Sequence, residues 1–299
     1  MVRVISILIS LCSLLSLLFA AEKDPEKVEK AKERFLVRPQ WQLGIGLTYL
    51  RLPYYRGSNQ EHHYLWPIPY FKYRTEKIQM ENSGASGNIF ESDRFLVNAS
   101  ISASLRVNSG KTSARMGMPN LDPLAEVGPM ASWEFWRDTY KRNIFSLNTP
   151  FRTAWSVDLF RAKYVGTFFV PFVAWTAYPQ KLTLGLFSEV TLASMFASQG
   201  YHDYYYSVSP SYANPGRPAY RAHGGYSGSH ATWYLSKKWP SFTLFGFIRY
   251  DQMKGAAFAD GPLMERKDSV MFVLGAVLYL WQSQTMVKRA KIVPQEMGN

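Results

Sequence analysis

Cysteine is almost missing from this chain of 299 residues: the one present, Cys12, lies inside an N-terminal apolar run. Removal of that run leaves no thiol, which excludes disulfide stapling and cysteine chemistry. Leu11 stands where a lipoprotein site wants a small residue, so Cys12 is not read as a lipid anchor. Long hydrophobic runs are missing too. Past the N-terminus, the stretch from Val270 to Trp281 is about twelve residues, too short to cross a bilayer as a helix and ample as a strand. There is no low-complexity tract and no internal repeat. Metal-ligand spacing is also lacking. Glu61, His62 and His63, with His202 and Asp203 far along the chain, form no closed set, because neighbours on an extended chain cannot both face one ion.

The N-terminus reads MVRVISILISLCSLLSLLFAAEKD. One positive charge, Arg3, precedes a serine-broken apolar run, and small residues at Ala20 and Ala21 offer a cleavage site before charge begins at Glu22. That layout is a secretory signal peptide over 1–21. The rival, an uncleaved anchor, would want a basic stop-transfer flank, which is absent. Residues 22–40 follow as a charged periplasmic segment with one favourable helical pair, Glu26 to Lys30.

From Trp41 the pattern changes to strict alternation. In WQLGIGLTYL, Trp41, Leu43, Ile45, Leu47 and Tyr49 share one face and Gln42, Gly44, Gly46 and Thr48 the other. In FLVNASISASLRVN an apolar face opposes Asn98, Ser100, Ser102, Ser104 and Arg106. A soluble sandwich has the same period. Three features favour a barrel in a membrane. The run from Phe95 to Val107 would span roughly 40 Å extended and about 30 Å once tilted. Aromatic residues make up 16% of the chain and sit at both ends of apolar faces, where interface girdles belong. The opposite faces carry Ser, Thr, Gly and Arg, which suits a hydrated interior. The expected fold is therefore an all-β antiparallel transmembrane barrel over 41–281, of about twelve strands with ten to fourteen compatible, followed by a periplasmic tail over 282–299.

The strands fall at approximately 41–51, 64–74, 76–82, 93–107, 127–137, 150–160, 163–175, 181–193, 203–208, 225–236, 241–251 and 268–281. An even number leaves both chain ends in the periplasm. Short turns near Arg161–Lys163 and Lys237–Pro240 then fall on the periplasmic side, and longer connections at 52–63, 83–92, 138–149, 209–224 and 252–267 fall outside. One connection breaks the rule: residues 108–126 are long yet assigned to the periplasm.

Several motifs carry a family resemblance. They are Trp41, Gly44, Gly46, Pro53, Tyr55, Gly57 and Ser58 with Pro67, Pro69 and Tyr70; then Gly117, Met118, Leu121, Glu126, Gly128 and Pro129; and last Gly255, Ala256, Ala257, Phe258, Asp260, Pro262 and Leu263. In order and spacing they resemble the MipA/OmpV family of outer-membrane proteins over about residues 40–281. Gly261 departs from the family's usual serine, Asn59 from its usual acid, and about eighteen residues follow Trp281. The resemblance implies an outer-membrane scaffold that joins a lytic transglycosylase to a murein synthase, with outer-membrane lipid and lipopolysaccharide around it. Links of other members to osmotic response, adhesion and drug susceptibility come with the same resemblance.

No catalytic set and no cofactor site emerges from the residues. A barrel lipase needs a serine and a histidine on one face. Ser229 and Ser227 both point away from His230 on an extended strand, and Gly228 holds the same-face position. The run Tyr201–Tyr206 reads as an interface girdle rather than a stacking platform. Net charge is +12, but export and the absence of any nucleic-acid motif argue against nucleic acid; loop cations meet lipopolysaccharide phosphates, and Lys288, Arg289 and Lys291 an anionic periplasmic surface. The alternative to a scaffold is a small porin or solute channel, with a surface adhesin or a barrel enzyme behind it. Inward residues Arg106, Arg152, Glu189 and Arg249, with Phe245 and Phe247, are expected to wedge the lumen shut. In the scaffold reading the partner docks on the 108–126 connection, where Met116, Met118, Leu121 and Leu124 offer apolar contacts and Pro119 and Pro123 stiffen the backbone. The same segment could instead fold into the barrel as a plug.

Overall fold

The computed structural model describes residues 37–288 apart from 82–83, 159–160 and 180–183. The leader, the segment over 22–36 and the tail beyond 288 lie outside the described residues. Fifteen strands are present: β1 Val37–Pro39, β2 Trp41–Pro53, β3 Glu61–Arg74, β4 Ile78–Glu81, β5 Gly84–Glu91, β6 Phe95–Ala103, β7 Leu124–Arg137, β8 Asn143–Asp158, β9 Arg161–Phe169, β10 Phe172–Ala177, β11 Leu186–Ala197, β12 Gly225–Lys238, β13 Phe242–Gln252, β14 Asp268–Gln282 and β15 Met286–Lys288. A single α-helix stands among the described residues, α1 at Gln199–Tyr206. β1 and β15 pair with each other beside the barrel.

The remaining strands close on themselves, each antiparallel to its neighbours. β9 and β10 run against β8 in one register, Phe169 opposite Phe151 and Phe172 opposite Asn148. Pro171 interrupts them without breaking the wall: Val170 still donates to the Pro150 carbonyl at 3.2 Å, and the Pro171 carbonyl accepts from Ser194 at 3.1 Å. Counted as one stave, β9–β10 meets β11 on its far side and completes a barrel of twelve. Closure leaves no sheet edge around most of the circumference, which a strand protein needs where water is absent.

Alternation along the staves is inside-out. Leu47, Ile101, Leu192 and Leu274 point outward and are half or more exposed, Leu192 at 60%, while Gln42, Asn148, Thr191 and Arg249 point inward and are buried. Aromatic residues border the outer apolar band. Phe95, Trp133, Trp136 and Trp281 ring the end that carries β1 and β15, and Trp155, Tyr164, Tyr250 and Phe272 ring the other. Trp155 packs edge-on against Tyr164, ring centres 5.3 Å apart. An apolar exterior over a polar interior is the burial pattern of a membrane-spanning barrel.

Two elements differ from the sequence expectation. A strand, β5, occupies Gly84–Glu91, where a loop over 83–92 is expected; its GASGNIFE lacks bulky alternation and reads as turn chemistry. The strand expected over 203–208 is instead mostly helix α1: the aromatics of YHDYYY favour strand, but Tyr201 and Tyr205, and likewise His202 and Tyr206, lie one helical turn apart and pack inward together. The two differences cancel in the count and invert every connection between them. The segment between β6 and β7, residues 104–123, therefore lies at the end opposite β1 and β15. There it joins 54–60, 198–224 and 253–267. The β7–β8 connection at 138–142 moves to the end that carries β1 and β15, and Arg161–Lys163 to the far end.

Candidate functional site

Those four connections converge into one packed unit that fills the far mouth of the barrel. Its apolar centre is Tyr55, Val107, Leu121, Tyr206, Ala222, Met253, Ala256, Phe258 and Ala259, with a member from each connection. Phe258 stacks on Tyr206 with ring centres 3.7 Å apart and planes 5° apart. Tyrosine hydroxyls tie the loops together. Tyr55 donates to the Leu263 carbonyl at 2.7 Å, Tyr206 to that of Arg56 at 3.0 Å, and Tyr204 to that of Asp122 at 2.8 Å. Burial pushes the Tyr204 phenol up to about 12 and raises those of Tyr55, Tyr201, Tyr205 and Tyr206, so all stay neutral donors. Arg115, its own basicity lowered by burial, donates to the Tyr205 carbonyl at 2.8 Å, and Arg217 to the Ala114 and Met116 carbonyls, each at 2.9 Å.

The plug is pinned to the wall below it. Arg56 descends from the 54–60 connection and donates to Asp251 of β13 at 3.0 Å; Arg249 grips the same carboxylate through Nε and Nη2, each at 2.9 Å. Asp251 is completely buried and pairs with both guanidinium groups away from water. Lower, Arg152 lies 3.6 Å from Glu126 and donates to Ser102 at 2.7 Å. Of the residues expected to fill the lumen, Arg152, Glu189 and Arg249 do face inward, and Phe245 and Phe247 line the same surface half-buried. Arg106 does not; it stands on the rim, 62% exposed, 3.8 Å from Asp122.

Helix α1 reaches the wall because Gly166 stands opposite it: a Cβ there would lie 2.4 Å from Ser198 Oγ and 2.6 Å from the Tyr201 nitrogen. This contact also assembles a serine–histidine pair that sequence reasoning missed. His202 Nδ1 lies 2.5 Å from the His223 carbonyl oxygen, which can only accept, so Nδ1 holds the proton and Nε2 accepts from Ser227 Oγ at 2.6 Å. Burial lowers the His202 pKa, with the nearby Arg56 adding to the effect and the His223 carbonyl opposing it. The tautomer is that of a general base. Ser227 is 1% exposed, however, and both ring nitrogens are satisfied, so the pair ties α1 to β12. Only a contact between helix and strand brings the two together, which neither spacing nor motif could reveal. The pairing considered from sequence, Ser229 with His230, does not form: Ser229 bonds Ser194 and Tyr226.

Of the residues expected to dock a partner, Leu121 and Leu124 are buried in the protein itself, Leu124 at 0% exposure. Met118 and Pro123 are half-buried; Met116 and Pro119 are exposed, on the outer surface of the plug. Glu61 pairs with Arg51 at 2.6 Å and His63 bonds the Tyr49 hydroxyl at 2.8 Å. Among the described residues no three such groups converge as a metal site.

Apolar outside, charged within and stoppered at one mouth, the molecule is a plugged transmembrane β-barrel. The chain belongs to the family of MltA-interacting protein MipA, whose model matches residues 43–279. No curated protein matches it. Solved structures similar to it include the CymD monoaromatic hydrocarbon channel, at 10% identity and TM-score 0.28 over 85% of this chain and 89% of that one. Another is Ail, the attachment invasion locus protein of Yersinia pestis, at 8% identity and TM-score 0.17 over 80% and 96%. Likenesses this loose carry no weight for function.

Proposed function

We infer that this protein is a non-conducting outer-membrane scaffold that holds a murein-processing enzyme at the periplasmic face. One observation supports this reading above the rest. The four-loop plug is locked to the wall through Asp251, in a mouth that a solute channel would keep open. The family name, MltA-interacting protein, supports a lytic transglycosylase as the partner, and a murein synthase is the second enzyme of the scaffold reading. The long connections all gather at the end opposite β1 and β15, as in barrels that keep turns short toward the periplasm. In that orientation Met116, Met118 and Pro119 face the cell exterior, among lipopolysaccharide, and the enzyme meets the end that carries β1 and β15. That end presents the β1–β15 ribbon and the cations Lys77, Arg94, Lys141 and Arg142. Neither catalysis nor a cofactor is part of this role.

Crosslinking in cells followed by copurification tests the assignment. Replacing 112–118 by a short Gly/Ser turn leaves capture of a lytic transglycosylase unchanged, whereas deleting 286–299 lowers it. If the plug variant abolishes capture while the terminal deletion spares it, the docking end is the opposite one.

A further inference from the structure

Among the described residues, the wall of the barrel is incomplete at one place. On one side β3 pairs with β2 along its length, Glu61 to Tyr73 against Pro53 to Trp41. On its other side, among the described residues, ladder partners are confined to Lys72–Arg74, opposite Gln79–Glu81 of β4. Even-numbered residues bond toward β2, as the Gln60 carbonyl accepting from Tyr54 and the Arg74 N–H donating to Gln40 show at the two ends. Odd-numbered residues therefore turn their backbone groups toward the other side, and from Glu61 to Pro67 no described strand faces them. Pro67, lying in this stretch, has no N–H to leave unpaired. The gap stands at the height of the lipid-facing band, since Leu65 pairs with Tyr49 and Pro67 with Leu47, and Leu65 is 67% exposed.

A cavity of about 440 Å³ lies behind the gap, within the range of small-molecule sites. It runs from Leu65 and Leu105 at the lipid-facing side, past Trp66 on the inner face, to Met195, Tyr205 and Phe258 beneath the plug. The lining is mainly apolar and aromatic, with Arg56, His62 and His202 among its polar members. Arg106 stands at its mouth with its guanidinium largely in solvent. We propose that this cavity is a binding site for a single-chain anionic amphiphile of the fatty-acid type, which enters sideways from the bilayer through the gap beside β3. The chain lies against the aromatic lining, and the carboxylate stays at the mouth near Arg106, where charge is solvated.

The site is tested on the full chain reconstituted in phosphatidylcholine vesicles containing a diazirine-bearing fatty acid, with photo-adducts mapped by mass spectrometry. Adducts on Met195, Tyr205 or Phe258 are expected, in addition to those on outward residues all round the wall. Leu105→Trp and Leu65→Trp narrow the mouth at exposed positions and lose the interior adducts, while both variants keep the heat-dependent gel mobility of a folded barrel. A diazirine-bearing phospholipid labels outward residues alone. Adducts confined to outward residues, interior adducts indifferent to both variants, or equal interior labelling by the phospholipid would each overturn the proposal. None of these outcomes depends on whether the protein binds a murein enzyme.

Discussion

At the scale of single residues, Asp251 bears the most consequence. Breaking a buried ion pair by removing one partner costs about 3–5 kcal/mol, because the surviving charge stays in low dielectric. Asp251→Asn removes the carboxylate that Arg56 and Arg249 share, so urea unfolding of the barrel in vesicles shifts to a lower midpoint, with a loss of stability in that range. An unchanged midpoint would mean that the other contacts of Arg56 and Arg249 hold both side chains without the carboxylate. His202 contributes a pH dependence whose sign follows from its burial. Its folded pKa lies below the unfolded value of about 6.5. The unfolded chain therefore binds the extra proton, and the stability gained from burying the neutral ring is present above pH about 6.5 and lost as the pH falls below it. Apparent melting temperature should decline on that acid side, and His202→Gln should flatten the slope. An identical slope in the variant would remove His202 from the account.

At the scale of elements, strands with strong alternation were legible and the two weakest segments were not. WQLGIGLTYL declares β2 by its faces alone, and Val270 to Trp281 lies within β14. β5 is not legible because glycine, serine and asparagine signal a turn, and what holds it is pairing with β4 and β6, which a single sequence does not encode locally. α1 is not legible because tyrosine favours strand, while the plug rewards any conformation that buries the rings. The end that each connection occupies follows from parity, so one omitted strand puts the 108–126 connection at the end that carries β1 and β15 instead of the opposite one. Ser227 with His202, and Arg56 with Asp251, were beyond reach for the same reason: each joins a loop or helix to a distant strand. The helix itself depends on Gly166. Gly166→Val pushes side-chain atoms into Ser198 and the α1 backbone, a clash worth about 1–3 kcal/mol. The expected result is a barrel that still assembles but is cut by protease within 198–224. Protection equal to that of the parent would show that α1 can shift without releasing the plug.

At the scale of the whole molecule, the twelve staves and the plug divide the work of stability. The wall satisfies its backbone through ladders and shows lipid an apolar face; the four connections supply one hydrophobic centre, and a second lies on the inner wall, where Phe168, Phe172 and Met195 pack with Tyr201 of α1. A barrel closed in this way is suited to display and anchoring rather than to bulk passage, and the gap beside β3 opens sideways, not along the axis. Single-channel recording of the full chain in planar bilayers tests this most directly. The account predicts an electrically silent membrane for the parent protein and the appearance of steps in Asp251→Asn, as the plug loosens. Stable, large, uniform conductance steps from the parent protein would contradict it.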